Sequence, residues 1–567
     1  DGVTDNVAAF EAADAAAAGR DVLVPEGIYY LATTVTMNNR VRFEGTVDMP
    51  DAAIFQLTKD FGFPAYEEAF GNETLALRKG LQALYNFTDH DTFDLGGRTI
   101  NLDEPMDVYE AVGNHDTFAL RRVIANGEIR AQNTSGWDNE TVTQTASYDL
   151  VTGRTELTNV TNISTILVGS LVEGNGVGRE IYVKDVDVAN NKVFLSNPLY
   201  DASASQVYTF TRFKYLLDFS GFQRVARMIL TNIDFNCTGR ASGVMLPKDG
   251  VTNTISECYF TSPLNRAITS IGEACSGINI DRNNFLSNEQ SVAVADRISI
   301  GFNVNVNDAK IRNNRAVRFK HFCVLSSAGY IITGNHFFQG DIQGTTDRTA
   351  GIIFTDDYAK TLVSGNYVDN ATIEWTSEHN PQPTSVGYSF SGMTIAANHF
   401  TAQSVETWFS FIKLKPIGTG HFINGVNISG NVFKVIGTTI DRVESVDNSL
   451  ANFDLSMTQE LSMTNNNFTN VNLPSMNPVS AIVSSSSVDN TWTGNFGDWL
   501  PFGTRAMHVT SVTPQGSIIA SNGGTVYTMP FNLSQQGTNR NQIKVRWSEP
   551  VSGNVVCTVR ADVVGMA

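Results

Sequence analysis

The chain has 567 residues, with 39 Lys and Arg against 57 Asp and Glu, for a formal net charge of −18. Hydrophobic residues make up 42% and charged residues 17%, too apolar and too weakly charged for a disordered chain. The acidic excess argues against a nucleic-acid partner, which needs a basic face to displace counterions, and no apolar run reaches the roughly 18 residues that membrane insertion requires.

The first predicted element is a helix over Asp5 to Gly19, with Val7, Phe10 and Ala17 on one face, Thr4 or Asp5 as cap and Gly19 as stop. A second helix is predicted from about Asn72 to Tyr85, with Leu77, Leu81 and Leu84 on one face. Each is followed by strand, Gly turn and strand, Val22-Leu23-Val24 to Tyr29 in one case and Thr92-Phe93-Asp94 to Ile100 in the other. Gly27 and Gly97 share their offset with Val7 and Leu77, so this is a repeated unit of helix and coil. Asp89, Asp91 and Asp94 lack the Gly and terminal Glu of a calcium loop and read as a polar turn. Residues 135–215 alternate as antiparallel strands do, as in Ile181 to Val188, and predict a small inserted β-domain.

From about residue 225 a looser repeat takes over: an apolar residue, a turn, an Asn and an aromatic two positions on. It centres on positions 258, 283, 313, 335, 366, 398, 431 and 466, about 30 residues apart. This composition and period predict a parallel β-helix whose coils stack about 4.8 Å apart. Asn suits the left-handed backbone of a tight turn and can bond the Asn one coil away, while the aromatic points inward. Residues 498–567 lose the repeat and read as a C-terminal antiparallel β-domain. Its apolar Val545, Trp547, Val556 and Val559 need burial, and this predicts a homotrimer held there. The domain boundaries are therefore 1–134 for the cap and first coils, 135–215 for the insert, 216–497 for the main helix and 498–567 for the terminal domain. The five Cys form no CxxC pair, so they predict buried thiols, with neither a disulfide framework nor a metal site.

The opening Asp1-Gly2-Val3-Thr4-Asp5-Asn6-Val7-Ala8-Ala9-Phe10, followed by Val24-Pro25-Glu26-Gly27-Ile28-Tyr29, resembles the N-terminal signature of the pectate-lyase-like right-handed parallel β-helix superfamily. The motif spans about 30 residues, and the Asn-rich coils extend the likeness to about residue 497. With its insert and terminal β-domain, the layout is most similar to a phage tailspike. That resemblance implies an all-β fold with short N-terminal capping helices. It also implies a homotrimer that binds, and often cuts, a bacterial capsule or lipopolysaccharide by endoglycosidic hydrolysis. It implies attachment to a phage tail or baseplate through residues upstream of Asp1, a place on the virion tail, and folding in the host cytoplasm. A secreted polysaccharide lyase and a non-catalytic glycan-binding fibre are the alternatives. The chain opens at Asp1 without Met or an apolar leader, which leaves export open. No cofactor is expected.

Glycoside hydrolysis needs two carboxyl groups, and the richest acidic stretch runs over 341–378. Asp341, Asp356, Asp357 and Glu374 are the candidate catalytic residues, with one expected to keep its proton near neutrality. Tyr358, Trp375 and Arg348 are the candidate carbohydrate-binding residues. A lyase would instead need a basic group, for which Lys413 with Lys415, or Lys320 with His321, are the candidates. The net charge favours a neutral or mixed glycan over a strongly anionic one.

Overall fold

The computed structural model describes residues 1–86, 89–202, 204–340, 348–381 and 389–563. Strands dominate, and most pair in parallel with the strand one coil away, which makes the fold a right-handed parallel β-helix with short helices at its start. The chain forms two compact units, one built of 1–292 and 296–326, the other of 293–295 and 327 onward. Among the described residues, no helix is long and apolar enough to cross a membrane.

In the first unit the predicted helices occupy Val7–Ala17 and Glu73–Asn86. Two more, Phe63–Phe70 and Val108–Val112, were not foreseen. The first of these starts on Gly62-Phe63-Pro64 and is too short for its periodicity to stand out. Asp94 ends the strand Thr92–Asp94 and accepts from the Gly96 amide at 2.7 Å and from Asn126 at 2.9 Å.

Residues 135–215 carry a six-stranded antiparallel sheet with its own apolar core, including Leu157, Val172, Val193 and Phe210. It lies against a parallel ladder made by Tyr215–Asp218, Ser242–Met245, Arg266–Thr269, Ile300–Val304 and His321–Leu325. Lys184 reaches Glu273 at 2.9 Å, Asp185 accepts from Lys248 at 2.9 Å, and Asn197 donates to Asn305 at 3.2 Å. This cover explains why these parallel strands are buried at every position rather than at alternate ones.

The Asn ladder is real, but its backbone logic differs from the expectation. Asn335, Asn366, Asn398, Asn431 and Asn466 stack in the second unit. Each of the first four donates its backbone N–H to the next side-chain carbonyl at 2.9–3.0 Å. Positive φ falls on the residue before each ladder Asn, at Gly334, Gly365, Ala397, Gly430 and Asn465, and not on the ladder Asn itself. The preceding residue makes the bend, and the Asn side chain replaces the backbone partners that the bend removes. In the first unit Cys258 occupies a ladder position and donates its N–H to Asn283 at 2.9 Å. Inward rings stack as predicted: Phe235, Phe260 and Phe285 at 4.9 and 5.1 Å, and Phe400 on Phe433 at 4.9 Å. All five Cys are free and buried.

The terminal sheet begins with Val479–Asn495 rather than at residue 498. The turn signals Pro474 and Asn477-Pro478 stand directly before that serine-rich strand and mark its start. It pairs antiparallel with the long Gln542–Arg560 strand, which also receives His508–Pro514 and Phe531–Gln536. Val545, Trp547 and Val559 are buried within this sheet itself, with Trp547 beside Trp492 at 5.2 Å. The burial assigned to a partner chain is therefore met internally for these three, while Val556 is only half-buried. The apolar side chains left in water are others: Ile482, Tyr527, Met529 and Phe531, all more than half exposed.

Candidate active site and a basic cavity

Asp356 and Asp357 follow the fully buried strand Ala350–Phe354, where the chain bends into Tyr358–Ser364. Trp375 pairs with Phe354 one coil on, and its indole N–H donates to the Asp356 carbonyl at 2.7 Å. The indole is 2% exposed and packs on Phe390 at 5.1 Å. It therefore supports the Asp356 backbone from the core and does not offer a ring face to sugar, contrary to its expected role.

The side chain of Asp357 is wholly out of water, while Asp356 is half-buried. One Asp357 oxygen accepts from Asn380 at 2.8 Å. The other meets no donor among the described residues, and the Asp356 carboxyl lies within hydrogen-bonding reach. Two carboxyls can bond each other only if one keeps a proton. Burial, and then the charge of Asp356, pushes Asp357 up to about 8, and burial also raises Asp356.

Around this pair lies a buried polar cluster drawn from successive coils. His379 Nδ1 meets the Thr355 hydroxyl at 2.9 Å. His421 Nε2 lies 2.8 Å from the Ile417 carbonyl, which can only accept, so Nε2 carries the proton and Nδ1 accepts from Ser389 at 2.8 Å. Burial holds His421 below its usual pKa and hence neutral. Its 3.6 Å approach to Asp357 is therefore no ion pair.

The other predicted residues are more dispersed. Glu374 lies mid-strand in Thr372–Thr376, not in a loop, paired between Ile353 and Lys413 and half-buried. Strand alternation turns it to the face opposite Trp375. The ring of Tyr358 is partly exposed and lies under Lys360 at 4.8 Å. Arg348 donates to the Gln403 carbonyl at 2.9 Å. Asp341 lies outside the described residues. In the sequence, His379-Asn380-Pro381 stand directly after the acidic stretch 341–378. His421 and Ser389 carried no signal, since only the stacking of coils brings them in.

A second site lies wholly in the first unit, between the inserted sheet and the parallel ladder. It is a cavity of about 430 Å³ whose lining includes Arg179, Glu180, Phe213, Arg266, Arg297 and Lys320. His321 also lines it, so the Lys320-His321 pair named as a lyase candidate faces this space. Arg266 and Glu180 form a buried two-pronged pair at 2.9 and 2.7 Å, and Tyr182 donates to Glu180 at 2.6 Å. Glu180 holds φ at +55°, a left-handed backbone uncommon for a residue other than Gly. Among the described residues, no group of three or more His, Cys, Asp or Glu could hold a metal ion.

No family model matches the sequence, and neither does a curated protein. Solved structures similar to this one include phage tailspikes. A mutant tailspike of E. coli bacteriophage HK620, in complex with a pentasaccharide, is 12% identical, with 99% of this chain and 91% of that chain covered and a TM-score of 0.35. The gp49 tailspike of Pseudomonas phage LKA1 is 12% identical over 86% of this chain and 93% of its own, with a TM-score of 0.28. PfbA, a surface adhesin of Streptococcus pneumoniae, is 11% identical over 83% and 90%, with a TM-score of 0.30. Likeness this distant says nothing of chemistry.

Proposed function

We propose that this protein is a tailspike-like receptor-binding protein that binds a bacterial surface polysaccharide and hydrolyses it, acting as a homotrimer on a virion tail. The observation that carries the chemistry is the Asp356–Asp357 pair. A part-buried carboxyl beside a fully buried one, the two sharing a proton near neutrality, is a general acid suited to protonating a glycosidic oxygen from the Asp356 side. Asp356 touches the sugar, and Asp357 is a positioning residue that sets its protonation. Asn380 and the Trp375 indole fix the pair from the core side.

Adjacent carboxyls that share one proton are not the two separate groups required by a retaining pair about 5 Å apart or an inverting pair about 6.5–9.5 Å apart. They therefore act as one acid, and the base or nucleophile comes from elsewhere, with Glu374 and Asp341 as the candidates. Tyr358 supplies partly exposed ring surface, and Arg348 a polar contact. The trimer reading rests on Ile482 and Phe531 of the terminal sheet, with Tyr527 and Met529 in the segment before Phe531, whose exposed apolar surface suits a second and third copy.

The test is fragment release from capsule or lipopolysaccharide of a host that the protein binds. Wild type releases oligosaccharide, whereas Asp356→Asn binds the glycan and releases little. If wild type binds without releasing anything, the chain is a binding fibre. A product with uronate unsaturation makes it a lyase. Light scattering at monomer mass overturns the trimer.

A further inference from the structure

We infer that the cavity of the first unit is a binding site for an acidic sugar residue, one bearing a carboxylate or phosphate, despite the chain's net charge of −18. The inference rests on the glycan-binding reading above but not on the carboxyl pair.

Three observations converge. The first is charge. The lining holds Arg179, Arg266, Arg297 and Lys320 against Glu173 and Glu180, so the local balance is opposite to that of the whole chain. A recess with low-dielectric walls concentrates the field of its own lining, and distant surface acids are screened within about 8 Å at physiological salt.

The second is a built donor. A guanidinium has five N–H groups. Arg266 Nε and one Nη2 proton go to Glu180, and the two Nη1 protons go to the carbonyls of Asn265 and Ile298 at 2.8 and 2.9 Å. One Nη2 proton is left with no partner among the described residues, on a side chain only 7% exposed. Glu180 and Tyr182 hold that guanidinium rigidly, so it gives up little freedom when an anion arrives.

The third is the wall beside it. Ile298 is half exposed at the cavity and supplies its apolar surface, while the buried Phe213 ring seats the Arg266 guanidinium at 5.1 Å. A sugar residue presents apolar C–H patches and polar edges together, and a wall of mixed character matches that pattern. The volume lies at the lower end of the roughly 300–1,000 Å³ of small-ligand sites and so suits a short stretch of glycan.

The experiment is saturation-transfer NMR on the full chain with three probes: glucuronate, glucose 6-phosphate and methyl glucoside. Transfer to glucuronate or glucose 6-phosphate, and little to methyl glucoside, is the expected result; the stronger of the two names the anion. Lys320→Gln with Arg179→Gln, at partly exposed positions, should weaken that binding by about tenfold or more, as loss of a charge-assisted contact does. Raising salt should weaken it in the unmodified protein as well. Equal transfer to all three probes, no transfer to either acidic probe, or indifference to both the substitutions and salt overturns the inference. Asp356→Asn should leave acidic-probe binding intact. Fragment release that persists without acidic binding sinks this inference alone, and acidic binding without release sinks only the hydrolytic reading.

Discussion

Arg266 and Asp357 are both ionisable and both almost wholly removed from water, yet they are kept there in opposite ways. Arg266 stays charged because Glu180 meets it with two hydrogen bonds and two backbone carbonyls take further protons. Asp357 is stripped of water with the Asp356 carboxyl beside it, and the nearby His421 is neutral and offers no opposite charge, so it keeps its proton instead. Burial alone does not decide the state of a group. An opposite charge in reach preserves ionisation, and a like charge in reach suppresses it. The first arrangement makes a rigid donor for an anion, and the second makes an acid.

The comparison can be broken most sharply at the acid. Asp356→Asn should lower fragment release by about 10² to 10⁴ while glycan binding survives. Asp357→Asn should change the pH profile of release more than its maximum, because it acts through Asp356. Full activity in both variants would move the acid away from this bend.

At the other pole, Arg266→Met leaves Glu180 charged and buried, and should cost about 3–5 kcal/mol in urea unfolding. Adding Glu180→Leu should recover most of that loss, since an apolar pair needs no partner charge. A double variant no more stable than the single one would show that the pair is not a self-contained unit.

The pH response separates the two regions again. Asp357 has a folded pKa above its unfolded value of about 3.8, so between about pH 4 and 8 the folded chain holds more protons. Its contribution to stability is therefore present at low pH and declines as pH rises toward 8. Thermal melting of Asp357→Asn should show a flatter decline over that window than wild type. An unchanged slope would mean that Asp357 titrates normally.

The smallest expected effect lies in the ladder. Asn398 is fully buried between Asn366 and Asn431, and Asn398→Ala leaves the Asn366 backbone N–H and the Val363 carbonyl unmet at a cost of about 1–3 kcal/mol. Asn466, the last member described and only part-buried, should cost less when changed to Ala. Equal losses at both positions would argue that the ladder is no more demanding inside than at its end.

The sequence by itself determined the coil. An Asn and an inward aromatic recurring about every 30 residues report local turn chemistry and a stacked core, and both are properties of near neighbours in the chain. The antiparallel insert was legible for the same reason. Tertiary structure decided what Asp356 and Asp357 face. Strand alternation turned Trp375 inward to the Asp356 carbonyl and Glu374 to the other side. Coil stacking brought Asn380 and His421 to Asp357 from 23 and 64 residues further along the chain. The basic cavity was hidden more deeply, because its wall joins Glu180 of the insert to Arg266 of the coil, 86 residues apart. Total charge gave the opposite sign from that wall. A net charge sums over the whole surface, whereas the field in a recess is set by the few side chains that folding places around it.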